Sequence, residues 1–252
     1  MMPAWLRRSE KQIALTLAIA MVSLILGACA TQSPGRDEGI TRLLEVNKVV
    51  VVGFSVALAP GDSPDWAKDP ITGAVFWAEP VPEGVAVEMT DILFDKMVEG
   101  YGYSLVSPGQ ARGAFSEILA SDRGLKLDAL AMAREIGRAL GADGVLTGRI
   151  YRWQEREGTD YAVSRPASVA FNLVLVRPED GAILWRGRFD KTQQSLSENL
   201  FDMSTFLHGG GRWMTARKLA LMGLDETMAR LPKGAGAEPA EQKGATDPRE
   251  KM

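Results

Sequence analysis

The 252-residue chain has one cysteine and one histidine. A lone cysteine excludes an intrachain disulfide and any multi-cysteine zinc centre, and a lone histidine excludes a histidine-cluster metal site. An excess of charge of one sign is also missing. The formal net charge of −3 argues against broad electrostatic capture of nucleic acid. No repeat of fixed period is present, and no cofactor or metal is expected. What remains, with 46% hydrophobic and 24% charged residues, is the composition of an ordinary globular protein, long enough to bury a core without staples.

The first segment departs from that average. Arg7, Arg8 and Lys11 precede an uncharged apolar run from Ile13 to Leu26, the layout of a secretory signal. The run falls short of the ~20 residues a spanning helix needs, which disfavours the alternative of an uncleaved membrane anchor. The only cysteine stands where this signal ends. Leu26, Gly27, Ala28 and Cys29 resemble the bacterial lipobox, which implies cleavage before Cys29 and acylation of its thiol, palmitate included. Ala30 follows, where an Asp would resemble the inner-membrane retention signal, so the resemblance implies an outer-membrane lipoprotein facing the periplasm. Two or more acyl chains, at ~0.8 kcal/mol per buried CH₂, give stable anchoring. Removing residues 1–28 takes away Arg7, Arg8, Lys11 and Glu10, a net of +2, and leaves a chain of net charge −5.

The expected organisation is a signal peptide over 1–28, a lipidated Cys29 and tether over 29–45, a periplasmic α/β domain over 46–231 and a disordered tail over 232–252. Residues 30–41 are small, polar and broken by Pro and Gly, the composition of a flexible tether. Twelve such residues reach at most ~40 Å, which keeps the domain near its membrane. The tail has almost no large apolar residue.

Between these ends the periodicities switch. Lys48 to Phe54 is a β-branched run, read as a strand buried on both faces. Residues 55–84 carry five prolines, Trp66 and Trp77, and are expected to form a long irregular loop. Val85, Met89, Ile92, Leu93 and Met97 mark an amphipathic helix over 84–99. Tyr103 to Val106 is a short strand, Ser107 and Pro108 open a helix to about Leu119, and Leu127 to Leu140 is a helix ended by Gly141. Ala142 to Trp153 alternates with period two, placing Val145, Thr147, Arg149, Tyr151 and Trp153 on one face. Ser168 to Val176 and Ile183 to Phe189 form a hairpin, and Trp213 to Leu231 is a closing amphipathic helix. This order predicts a single α/β sandwich domain with a mixed sheet and packed helices.

The VVVVGF strand, the YSLVSP turn, the LGADGVLTGRI join and the hairpin NLVLVRPEDGAILWRGRF together resemble a superfamily of envelope proteins. It includes the curli secretion-channel lipoprotein, the lipoprotein activators of penicillin-binding proteins and the amino-terminal domain of the TolB protein. The resemblance covers about residues 46–231 and implies a binding or assembly module, not a catalyst. Two departures qualify it. The proline-rich 55–84 insertion does not read as the added amphipathic strands of a pore, and the tether is shorter than those of the activators.

His208, Gly209, Gly210 and Gly211 look like the oxyanion motif of esterases. The nucleophile elbow is missing, because Gly53 to Ala57 does not read GxSxG, and His208 cannot also serve as the base. A flexible entrance to the last helix is the plainer reading. The same glycines with Arg212 could hold an anion, but lack the preceding strand and following Lys of a phosphate loop. Asp62, Asp65 and Asp69 lack the spacing of a calcium loop and read as a solvated acidic loop. Trp153 and Trp185 lie on strands and read as core or sheet-face residues. Trp66, Trp77, Phe201, Phe206 and Trp213 lie in or beside the irregular segments, where large aromatics anchor interfaces. Segments 60–80 and 196–213 are therefore the expected contact surface for an envelope protein partner, with local lids over the sheet as the alternative. A homo-oligomeric channel component is the second functional reading, and an esterase-like hydrolase a remote third.

Overall fold

Four valines in a row set the centre of the molecule. In a computed structural model, which describes residues 46–121, 126–159, 163–193 and 213–234, Lys48–Val56 forms β1, with Val49, Val50 and Val51 fully buried. It pairs in parallel with β4 (Ser104–Val106) on one side and with β5 (Gly144–Gln154) on the other. Beyond β5 lie β8 (Ser168–Val176) and β9 (Ile183–Thr192), both antiparallel, giving a mixed sheet of order β4-β1-β5-β8-β9. All nine residues of β8 are buried, as a central strand covered on both faces requires. The α/β class with one mixed sheet and packed helices is the architecture observed.

Two helices cover the first face. Helix α1 (Val85–Gly100) brings Val85, Met89, Leu93 and Met97, and α4 (Ala216–Met228) brings Leu219, Ala220, Leu224 and Met228. They close over Val49, Val51, Leu146, Ile150, Phe171 and Leu173 in one continuous cluster. Burying a side chain of this size contributes about 1.5–3 kcal/mol. The close approach of α1 depends on Gly53, which takes φ +87° at a bulge in β1. There the Phe54 N–H donates to Thr90 Oγ1 at 2.8 Å, and a Cβ on Gly53 would run into the Thr90 side chain.

The second face is covered in pieces. Helices α2 (Pro108–Ala120) and α3 (Ala129–Ala139) pack Ala111, Ala114, Ala133 and Ile136 over Val50, Val106 and Val145. Ser107 and Gln110 form a capping box with Pro108 at the first turn, and Asp128 caps α3 by accepting from the Ala131 N–H at 2.7 Å. The Gly-Ala-Asp join after α3 has a visible purpose: Asp143 Oδ2 accepts from the backbone N–H groups of Lys48 (2.8 Å) and Asn47 (3.1 Å), fixing where β1 begins.

Three expectations need correction. Residues 55–84 are not wholly irregular, because β2 (Asp65–Lys68) and β3 (Val75–Ala78) pair as an antiparallel hairpin. Its prolines flank the strands instead of interrupting them: Pro64 precedes β2, Pro70 lies in the connection and Pro80 follows β3. The four-residue strands are less than half the ~9–11 residues of a membrane-barrel strand. The alternation on β5 breaks at a bulge between Ile150 and Arg152, so Trp153 joins Leu146 and Ile150 in the first-face cluster, opposite Val145. A small ribbon, β6 (Glu157–Gly158) with β7 (Val163–Arg165), was not expected at all. Among the described residues no helix is long and apolar enough to cross a membrane.

Candidate functional site

The hairpin presents two different faces because its side chains alternate. Phe76 and Ala78 are fully buried, whereas Trp66 is 66% and Trp77 37% exposed. Trp66 and Trp77 are cross-strand partners, and their rings meet edge to face with centroids 5.5 Å apart. Val75, also on β3, is exposed as well. The Trp77 indole N–H donates to Glu79 Oε1 at 3.1 Å, which fixes its rotamer.

The inner face clamps the hairpin to the sheet. The Phe76 and Tyr151 rings stack with centroids 4.0 Å apart, and the Arg188 guanidinium lies 4.1 Å from the Phe76 ring centroid. The Glu79 N–H donates to the Tyr151 carbonyl at 2.8 Å. Arg152, almost fully buried, donates from Nη1 to the Trp77 carbonyl (3.1 Å), from Nε to Ser168 Oγ (2.6 Å) and from Nη2 to Asp190 Oδ1 (2.6 Å). The bulge in β5 matters here, because it sends both Tyr151 and Arg152 toward the hairpin.

Asp69 closes the clamp. It is 4% exposed, which corrects the solvated-loop reading, and it accepts from Tyr151 Oη (2.6 Å), Thr72 Oγ1 (2.7 Å), the Thr72 N–H (2.6 Å) and the Ile71 N–H (3.2 Å). Burial opposes its ionisation, but the Thr72 and Tyr151 hydroxyls, the Thr72 N–H and the nearby Asn172 amide outweigh it and hold the carboxyl below its ordinary value. Burial first, then the hydrogen bond and charge of Asp69, push the Tyr151 hydroxyl far above its usual range. The Tyr151 hydroxyl is thereby held as the donor to Asp69.

The other sequence-derived candidates fare differently. Asp62 accepts from the Ala59 N–H at 2.6 Å, and Asp65 from the Trp66 N–H at 2.7 Å. Among the described residues no group of three acidic, histidine or cysteine side chains is placed to hold a metal ion. Trp153 and Trp185 pack in or against the first-face cluster. Trp213 is partly buried, and its carbonyl accepts from Arg156 Nη1 at 3.1 Å. Leu26, Gly27, Ala28, Cys29, Phe201, Phe206, His208 to Gly211 and Arg212 lie outside the described residues. The sequence reading missed Tyr151, Arg152 and Asn172. A strand that mixes aromatic and cationic residues, and a lone Asn within the apolar run of β8, are the marks they leave in the sequence.

No family model matches the sequence, and no curated protein matches it. Solved structures similar to the chain include the LpoB C-terminal domain from Salmonella enterica, at 17% identity over 62% of this chain and 94% of that one, with a TM-score of 0.35. Lipoprotein GNA1162 from Neisseria meningitidis is similar at 15% identity over 64% of this chain and 92% of that one, with a TM-score of 0.39. A PelC dodecamer from Paraburkholderia phytofirmans is similar at 15% identity over 73% of this chain and 86% of that one, with a TM-score of 0.33. At these identities and scores the likenesses assign neither an activity nor a partner to this chain.

Proposed function

We propose that this protein is a lipid-anchored, non-enzymatic binding or assembly module of the bacterial cell envelope, tethered to the outer membrane through Cys29 and facing the periplasm. The anchor reading is supported by the order of basic residues, apolar run, small residues and Cys29, with Ala30 following. The binding reading is carried by one observation: Trp66 and Trp77, exposed and in edge-to-face contact, stand on a hairpin whose inner face is clamped to the sheet. Side chains held this way lose little rotamer freedom on contact, which is how aromatic anchors dominate protein interfaces. Phe201, Phe206 and Trp213 are proposed as a second contact segment. The lipid confines the domain and raises its effective concentration toward membrane or cell-wall partners.

Capture from detergent-solubilised envelopes tests the binding half. The wild-type chain is expected to retain a specific envelope protein that the Trp66→Ala/Trp77→Ala variant loses, while the two proteins give the same circular dichroism spectrum. Retention by the double variant would remove the basis for the tryptophan surface. Labelling with a radioactive fatty acid tests the anchor: label is expected on the wild type and absent from Cys29→Ala, and an unlabelled wild type overturns it.

A further inference from the structure

Between the α2/α3 pair and the hairpin, the second face of the sheet is incompletely packed. A cavity of about 220 Å³ opens there, walled by Val52, Phe115, Met132 and Ile136 and floored by Arg149 and Asn172. A second cavity of about 300 Å³ adjoins it, shares Asn172 and is bordered by Arg186 and Arg188. Phe115, 40% exposed, belongs to the rim through which the first cavity meets solvent.

The polar groups of this floor are mismatched. Arg149, Asn172 and Arg188 are aligned across three adjacent strands. Asn172 is 4% exposed. Its Oδ1 accepts from the Arg149 N–H at 3.1 Å, which fixes which end of the amide is oxygen. Its Nδ2 is then a buried donor without a hydrogen-bond partner, although the amide lies near enough to Asp69 to favour that carboxylate. Buried donors are normally satisfied, and one that is not asks for an acceptor. Charge points the same way. Asp190 is shared by Arg152 and Arg188, and Asp69, which also lines the first cavity, takes three donors on Oδ1 and the Tyr151 hydroxyl on Oδ2. Among the described residues neither Arg149 nor Arg186 has a carboxylate partner.

We propose that the two cavities form one binding site for a small carboxylate-bearing ligand with an apolar body. The carboxylate accepts from Asn172 Nδ2 and is flanked by the Arg149 and Arg186 guanidiniums. The apolar body lies among Val52, Phe115, Met132 and Ile136. A dry cavity of about 150 Å³ holds benzene, so this chamber takes a phenyl-sized or branched apolar group. The carboxylate supplies the acceptor that Asn172 lacks and offsets the positive charge that the protein leaves unpaired. The site is distinct from the tryptophan surface, so failure of either reading leaves the other standing.

The test is calorimetric titration of the full chain in lipid nanodiscs with 3-phenylpropanoate, with empty nanodiscs as the blank. Phenylpropylamine and phenylpropanol share the apolar body but lack the carboxylate. The acid is expected to bind one to one, with the amine and the alcohol at least about tenfold weaker. Asn172→Leu removes the donor and is expected to abolish binding. Because that position is buried, Arg186→Gln on the exposed edge strand provides a second variant that leaves the core untouched, and it is expected to weaken binding about fivefold. No heat from the acid, equal affinity for acid and amine, or unchanged affinity in Arg186→Gln would each overturn the proposal.

Discussion

The two faces of the central sheet are built from the same five strands and are covered in opposite ways. On the first face, α1 and α4 lay a continuous apolar layer over Val49, Val51, Ile150 and Phe171. On the second, two separate patches, one under α2 and α3 and one under the hairpin, leave a gap floored by Arg149 and Asn172. The first arrangement builds the larger continuous core. The second accepts a buried cation, a buried carboxylate and an amide whose Nδ2 has no hydrogen-bond partner. Each of those is costly unless paired, and together they hold a rigid aromatic surface away from the core. Under the proposed function, stability falls to one face and recognition to the other.

The largest expected effect breaks the first face. Leu93→Ala or Leu219→Ala, both at fully buried positions, should lower global stability by about 2–5 kcal/mol, read from urea melts, with every amide in the sheet exchanging faster. A Tyr151→Phe variant should behave differently. It removes the 2.6 Å donor to Asp69 and should cost about 1–3 kcal/mol, concentrated in faster hydrogen exchange over residues 65–78. An equally global change would mean that the hairpin is not a separate unit.

Acid sharpens the same contrast. The folded-state value of Asp69 lies below its ordinary value of 3.8, so its ionised form stabilises the fold at all higher pH and that contribution disappears as pH falls through the folded value. Stability measured between about pH 5 and pH 2 should therefore fall less steeply in Asp69→Asn than in the wild type. Identical slopes would show that the carboxylate does not hold the hairpin. The smallest effect on stability is expected at the surface. Trp66→Ala, at a site 66% exposed, should change stability by less than about 1 kcal/mol while removing partner capture.

Much of the fold was legible because local signals and tertiary packing agree. The β-branched runs gave β1 and β8, and Ser107, Pro108 and Gly141 gave helix ends that the structure reproduces. The hairpin was not legible, since its strands are four residues long and depend on Tyr151, 82 residues from Asp69 in sequence. The parity of Trp153 was misread because a bulge leaves no mark on a period-two pattern. Trp66 and Trp77 could be picked out as aromatics between prolines. The role of Asp69 could not, because in sequence it is one acid among three in a loop, and only its distant donors distinguish it.

The division of labour between the faces is tested most directly by photo-crosslinking in intact envelopes, with a benzophenone amino acid placed at Trp66 or Trp77 and, for comparison, at Val87 or Val98. All four positions are exposed, but Val87 and Val98 lie on α1, which covers the first face. A specific protein adduct is expected from positions 66 and 77 and none from 87 and 98. The same adduct from α1, or adducts from α1 alone, would contradict that division.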